Sequence, residues 1–189
     1  MPWRNGAGTT LEVARFPAEG AEFSWRLSLA SIAAGGPFSA YPGYARIVAL
    51  VDGGGFTLTS PGNSEQTLSK VGAWARFAGA AETQCALLAG PCTDLSLMVR
   101  EPGVIGAVRC VDVHADTPLV PEPGSLRAVF CLGGAIEFHL AGGDTGTLEP
   151  RDTLLYREVT GSVVLRESGG QPASAFTVSW RPANDGFPD

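Results

Sequence analysis

Lysine is almost missing from this chain: Lys70 is the one example in 189 residues, and histidine occurs twice, at His114 and His139. Acidic side chains outnumber basic ones, 19 to 13, for a formal charge of −6. Nucleic acid is bound through a basic face, so no nucleic-acid partner is expected. Long hydrophobic runs are missing too. None approaches the ~18 residues of a membrane-spanning helix, and the first residues lack the charged and apolar regions of a signal peptide. A cytoplasmic protein with no membrane partner is the expectation. The four cysteines, Cys85, Cys92, Cys110 and Cys131, show no CxxC spacing, and two histidines do little to complete the usual zinc sets. They read as buried free thiols. A catalytic Cys–His pair, whose partners meet in space rather than in sequence, stays open. No metal and no cofactor is expected.

What the chain has in quantity is glycine, 25 residues, and proline, 14. Both interrupt helices. Between them run short alternating segments such as "FSWRLSLASI", "RIVALVDGG", "LSLMVR", "AIEFHL" and "AFTVSWR", the pattern of an all-β barrel or sandwich. A chain that is 44% hydrophobic and 17% charged is globular rather than disordered.

The two halves match. "LVDGGGFTL" at 50–58 aligns with "FCLGGAIEF" at 130–138, and "TLSKVGAWARF" at 67–77 aligns with "TLEPRDTLLYR" at 147–157. Both matches lie eighty residues apart, the mark of a duplicated unit. Each unit reads strand, Gly-Gly turn, strand, loop, strand, which is the core of a cupin, a double-sheet jelly roll. The expected fold is all-β: a bicupin, two tandem cupin-type jelly-roll barrels in one chain, the first over residues 1–104 and the second over 105–189.

In a metal-binding cupin a glutamate stands seven residues before the turn glycine, an HxH pair precedes it, and a later histidine follows. Here the glutamate place is Arg46, the HxH place falls on "SAYP" at 39–42, and the later place falls near Thr83. Without donors there is no metal site. A guanidinium at the head of the apolar run "IVALV" would instead attract a carboxylate or phosphate, unless it merely pairs with a structural acid. On "FSWRLSLASI", Trp25, Leu27 and Leu29 share one strand face, and Arg26 and Ser28 share the other. Arg26 and Arg46 together could then clamp an anion; a plainly solvated face is the alternative. In the ungapped alignment Leu126 stands opposite Arg46, and His139 shares a face with Glu137 as a surface pair. The second barrel reads as mainly structural.

"PWRNGAGTTLEV" has the glycines of a phosphate-binding loop, but no lysine follows them and a strand, not a helix, comes next. The glycines permit a tight turn and a close approach of backbone to ligand. Trp3, Asn5, Thr9 and Thr10 would then line the mouth of the first barrel. A turn that docks an N-terminal strand on the sheet edge is the other reading.

The segments "PWRNGAGTTLEVA", "FSWRLSLASIAAGGPFSAYPGYARIVALVDG" and "DLSLMVR" resemble the HutD/Ves family of bacterial bicupins, over nearly the whole chain and most strongly over residues 2–53. Ala7, Ser96 and Val99 depart from the family's usual glycine, asparagine and threonine. Members usually carry several residues before "PW", which points to a start upstream or to a short edge strand. The resemblance implies a metal-free bicupin tied to histidine utilisation or, in the Ves branch, to cold and stress response; "LASIAAGGPFSAYPG" leans towards Ves. It implies a non-catalytic, regulatory binder of a small anion such as N-formylglutamate. Ser39, Ser96 and Met98, which stand within the resembling motifs, complete a candidate ligand set of Trp3, Asn5, Thr9, Thr10, Arg26, Ser28 and Arg46. Two other classes stay open: a metal-independent enzyme acting on a small acid or sugar, with Glu12, Glu82 or Tyr41 as base, and a ligand-free interaction scaffold. A homodimer stays open as well.

Overall fold

The computed structural model describes residues 1, 3, 6–102, 104–120, 125–157 and 163–182, and every regular element among them is a strand. The chain divides into two compact units, Met1–Ile105 and Gly106–Asp189. Each is a jelly roll of two facing antiparallel sheets.

The first unit holds β1 (Gly8–Phe16), β2 (Trp25–Ile32), β3 (Gly36–Pro37), β4 (Tyr44–Gly53), β5 (Phe56–Thr59), β6 (Gln66–Leu68), β7 (Trp74–Ala78), β8 (Gln84–Leu87) and β9 (Cys92–Arg100). Its sheets run β1-β2-β9-β4-β7 and β3-β8-β5-β6. Strand alternation sends Val48 and Leu50 of the larger sheet against Phe56 and Leu58 of the smaller one, with Ile32 and Leu68 completing the core. Phe56 is fully buried, and truncating such a ring to alanine costs about 3–5 kcal/mol. The central strand β9 is buried along both faces, although Asp94 and Ser96 interrupt its apolar run.

The second unit holds β10 (Val104–Val113), β11 (Thr117–Leu119), β12 (Leu126–Gly133), β13 (Ala135–His139), β14 (Thr145–Leu148), β15 (Thr153–Arg157), β16 (Val163–Ser168) and β17 (Ala173–Pro182). Its sheets run β10-β17-β12-β15 and β11-β16-β13-β14. That is the order of the first unit without β1, so the duplication seen in the sequence is a duplication of topology.

The spacing of the repeat is not uniform, and this corrects one expectation. β4 carries a bulge between Leu50 and Asp52, and β12 carries one between Cys131 and Gly133. Past the bulge, Gly53 (φ +94°) and Gly134 (φ +68°) occupy the same place; a Cβ would fall 2.4 Å from the Pro91 carbonyl oxygen in one and 2.6 Å from that of Pro172 in the other. Only glycine fits there. The first turn then needs Gly54 and Gly55 before Phe56, whereas the second needs only Ala135 before Ile136. One residue is missing from the second turn, so the strands before it lie 81 residues apart, not eighty. The counterpart of Arg46 is therefore Arg127 and not Leu126: Arg46 opposes Met98 and Phe77, and Arg127 opposes Ser179 and Tyr156.

Candidate functional site

Register brings the polar inner residues of the first barrel together. Across β2, β9 and β4, Arg26, Met98 and Arg46 form one row; Ser28, Ser96 and Val48 form the next; Ala30, Asp94 and Leu50 form a third. Val48 and Leu50 belong to the core. Arg26, Ser28, Ala30, Arg46, Asp94 and Ser96 line a cavity of about 690 Å³, whose remaining wall includes Trp3, Thr10, Phe38, Ser39 and Tyr41.

Each guanidinium is held by aromatic rings and one hydrogen bond. Arg26 lies 5.3 Å from the Phe23 ring centroid and 5.7 Å from that of Tyr41, and its Nη2 donates to the Met98 sulfur at 3.6 Å. Arg46 lies 4.9 Å from Phe38, 5.1 Å from Phe77 and 5.8 Å from Tyr41, and its Nη1 donates to the Ser39 carbonyl at 3.0 Å. Ring faces attract the weakly hydrated guanidinium and fix its plane. Burial pulls the Arg46 pKa below its ordinary value, with Asp94 and Tyr41 opposing the pull and Arg26 adding to it. Asp94 is 2% exposed, and burial pushes its carboxyl up to about 7 against the opposing charge of Arg46. Four buried polar atoms of this cavity, Arg26 Nε, Arg46 Nε, Asp94 Oδ1 and Ser96 Oγ, find no hydrogen-bond partner among the described residues. Native interiors rarely leave such groups unmatched, and here they cluster.

The N-terminal loop forms the rim. Gly6 takes a left-handed φ of +70°, its N–H donates to the Trp3 carbonyl, and the Trp3 N–H donates to the Gly8 carbonyl. The Trp3 indole N–H then reaches the Thr10 hydroxyl at 2.7 Å, and its ring meets Phe38 edge-on at 6.4 Å. The close backbone approach at Gly8 is to the neighbouring strand rather than to a ligand: a Cβ there would fall 2.3 Å from the Ser31 carbonyl oxygen and 3.2 Å from the Trp3 ring. The loop docks β1 on β2 and places Trp3 on the cavity at the same time.

Of the ten residues singled out in the sequence, Trp3, Thr10, Arg26, Ser28, Ser39, Arg46 and Ser96 line this cavity. Met98 lies beneath it as the support of Arg26. Thr9 does not join them; it sits on the opposite strand face from Thr10 and is exposed. Asn5 lies outside the described residues. Sequence reasoning missed Asp94 and the aromatic wall of Phe38. Glu12 and Glu82 are exposed and away from the cavity. Asp94 had a signal: in "CTDLSLMVR" it shares a face with Ser96 and Met98.

Burial pushes Cys85 up to about 12 and Cys92 and Cys131 up to about 11; such thiols stay protonated and are poor nucleophiles. Among the described residues no three His, Cys, Asp or Glu side chains gather where a metal could be held, and no helix is long and apolar enough to cross a membrane.

A family model described as HutD matches residues 1–171. The chain is 33% identical over 176 residues to an uncharacterized 21.2 kDa protein in the hutC 3′ region of Pseudomonas putida, covering 88% of this chain and 90% of that protein. It is 33% identical over 172 residues to protein Ves of Citrobacter koseri, covering 84% and 87%. Among solved structures, a conserved protein of unknown function from Pseudomonas aeruginosa PAO1 superposes with a TM-score of 0.84 at 29% identity, covering 97% of this chain and 94% of that one. A cupin 2 conserved barrel domain protein from Leptotrichia buccalis shares the fold, with a TM-score of 0.57 at 11% identity over 90% of this chain and 88% of that one.

Proposed function

The chain belongs to the HutD family, and we propose that it is a non-catalytic, cytoplasmic binder of a small organic carboxylate, held in the first barrel and coupled to regulation. The observation that carries this reading is the convergence of Arg26 and Arg46 on Tyr41 in a cavity with unmet hydrogen-bonding capacity. Two cations against one buried acid leave the cavity positive, and a partly dry wall strengthens each charge-assisted bond to a carboxylate. About 690 Å³ is the size of an ordinary small-molecule site. It admits a dicarboxylate of the N-formylglutamate kind, a ligand class in keeping with the hutC neighbourhood of the Pseudomonas putida relative. Serine hydroxyls at Ser28 and Ser96 supply neutral donors beside the arginines.

The test is a thermal-shift series with formate, glutamate and N-formylglutamate. A ligand that binds only the folded chain raises the melting temperature by mass action. The reading requires a concentration-dependent rise that Arg46→Ala abolishes. No rise with any of these acids would favour the interaction-scaffold reading.

One observation favours an enzyme instead: a buried carboxyl titrating near 7 inside a cavity is suited to general acid–base work. On that reading a bound acid would be converted over time by the wild-type chain and left intact by Asp94→Asn, as followed by proton NMR. Binding without turnover leaves the binder.

A further inference from the structure

The arginines hold one end of the first-barrel cavity, and the other end has a chemistry of its own. Along β9 the row of Asp94 lies two rows beyond that of Met98, about 13 Å of strand away from the arginine row. Asp94, Ser96 and Ser28 are all buried, and all three line the cavity. Asp94 Oδ1 and Ser96 Oγ find no hydrogen-bond partner among the described residues. The groups whose charge is felt between themselves and Asp94 are the Arg46 guanidinium and the thiols of Cys85 and Cys92.

The jelly roll does not require an acid at this place. In the second unit the matching residue is Ala175, which opposes Cys131 as Asp94 opposes Leu50. Ala175 is buried and packs in that unit's core. An alanine therefore suffices for packing, whereas the first unit buries a carboxyl at the cost of an unmatched polar atom. A ligand entering the cavity can supply the match.

Protonation decides what kind of match. Burial pushes the Asp94 carboxyl up to about 7, and a ligand carboxylate between Arg26 and Arg46 disfavours its ionised form further. In the complex Asp94 is then a neutral acid, with one O–H to donate and one carbonyl oxygen to accept. An amide complements it on both counts. A ketone only accepts, and an ammonium only donates while adding a third cation to a cavity that already holds two.

Resting on the reading of this cavity as a carboxylate site, we propose that Asp94, helped by Ser96, recognises a neutral amide on the same ligand. The ligand class is then a small acid with a carboxylate at one end, held by Arg26 and Arg46, and an amide at the other.

Isothermal titration of the full chain with three acids of similar length tests it. Glutaramate ends in an amide, 5-oxohexanoate in a methyl ketone of the same shape without the N–H, and 5-aminopentanoate in an ammonium. Glutaramate should bind the wild-type chain at least about tenfold more tightly than either of the others, because a site built for a hydrogen bond rejects the analogue that lacks it. Arg46→Ala should weaken glutaramate and 5-oxohexanoate alike. Asp94→Asn keeps a donor and an acceptor and should retain the preference, whereas Asp94→Leu should bring amide and ketone to within about twofold of each other. The wild-type ranking needs no variant, so it decides even where Asp94→Leu does not fold. Equal affinity for amide and ketone would overturn this proposal and leave the carboxylate site standing. Tightest binding by 5-aminopentanoate, or a preference untouched in Asp94→Leu, would overturn it as well. Saturation by none of the three acids would remove the carboxylate site and this proposal together.

Discussion

Arg26 and Arg46 address the same ring: their guanidinium carbons stand 5.7 and 5.8 Å from the centroid of Tyr41. They meet because Met98 opposes both of them, one on each side of β9. Like charges so placed repel, and Asp94 offsets only part of that repulsion. An anion between them converts a cost into two favourable pairs.

Replacing Arg46 by alanine should weaken carboxylate binding about tenfold to a hundredfold, the equivalent of one charge-assisted hydrogen bond of roughly 1.5–3 kcal/mol. Arg46→Lys should recover only part of the loss, because a point charge cannot present a planar fork. Arg166, an exposed partner of Asp116 in the other unit, provides the control, and Arg166→Ala should leave the affinity unchanged. Isothermal titration of the three variants decides the matter; equal losses at Arg46 and Arg166 would remove the first barrel's special role.

Asp94 should make stability depend on pH. Its carboxyl titrates at about 7 in the fold and near 3.8 ordinarily. Between those values the folded chain holds a proton that the unfolded chain has released, so the Asp94 contribution to stability falls as pH rises from about 4 to about 7 and is level above. At about 1.4 kcal/mol per pKa unit the whole change is on the order of a few kcal/mol. Asp94→Asn is neutral throughout, so its urea midpoint relative to wild type should climb across that window. A constant difference from pH 4 to 8 would refute the assignment.

The same proton should couple to the ligand. A carboxylate seated by Arg26 and Arg46 disfavours ionised Asp94, so binding takes up a proton and the affinity falls as pH rises through about 7. Calorimetry in buffers of different ionisation enthalpy should show proton uptake by wild type near neutral pH and none by Asp94→Asn. Equal uptake by both would place the proton elsewhere.

At the rim, Gly8→Ala forces a methyl group into the Ser31 carbonyl and the Trp3 ring, and overpacking of this kind costs about 1–3 kcal/mol. Trp3→Phe keeps most of the packing on Phe38 and loses the bond to Thr10, about 1 kcal/mol. Chemical denaturation should rank Gly8→Ala as the more damaging of the two. The reverse order would mean that β1 does not need its close approach to β2.

Much of this was legible beforehand because strand periodicity is strict. Alternation alone puts Arg26 and Ser28 on one face, and the repeated Gly-Gly turns mark two jelly rolls. The alignment failed at Arg127 because a turn can lose a residue without any change in the apolar pattern that flags the strands. Asp94 shares a strand face with Ser96 and Met98, but its weight comes from burial and from the charge of Arg46 acting between β9 and β4, which no local pattern contains. Tyr41 drew notice as a base and not as a wall, since a loop residue's direction is set by what it packs against.

The most direct test of the central claim is a crystal structure grown with saturating N-formylglutamate. The account predicts a carboxylate bridging the guanidiniums of Arg26 and Arg46 above Tyr41, within hydrogen-bond distance of both. The first-barrel cavity holding only solvent, with the acid bound on the outer surface or not at all, would contradict it.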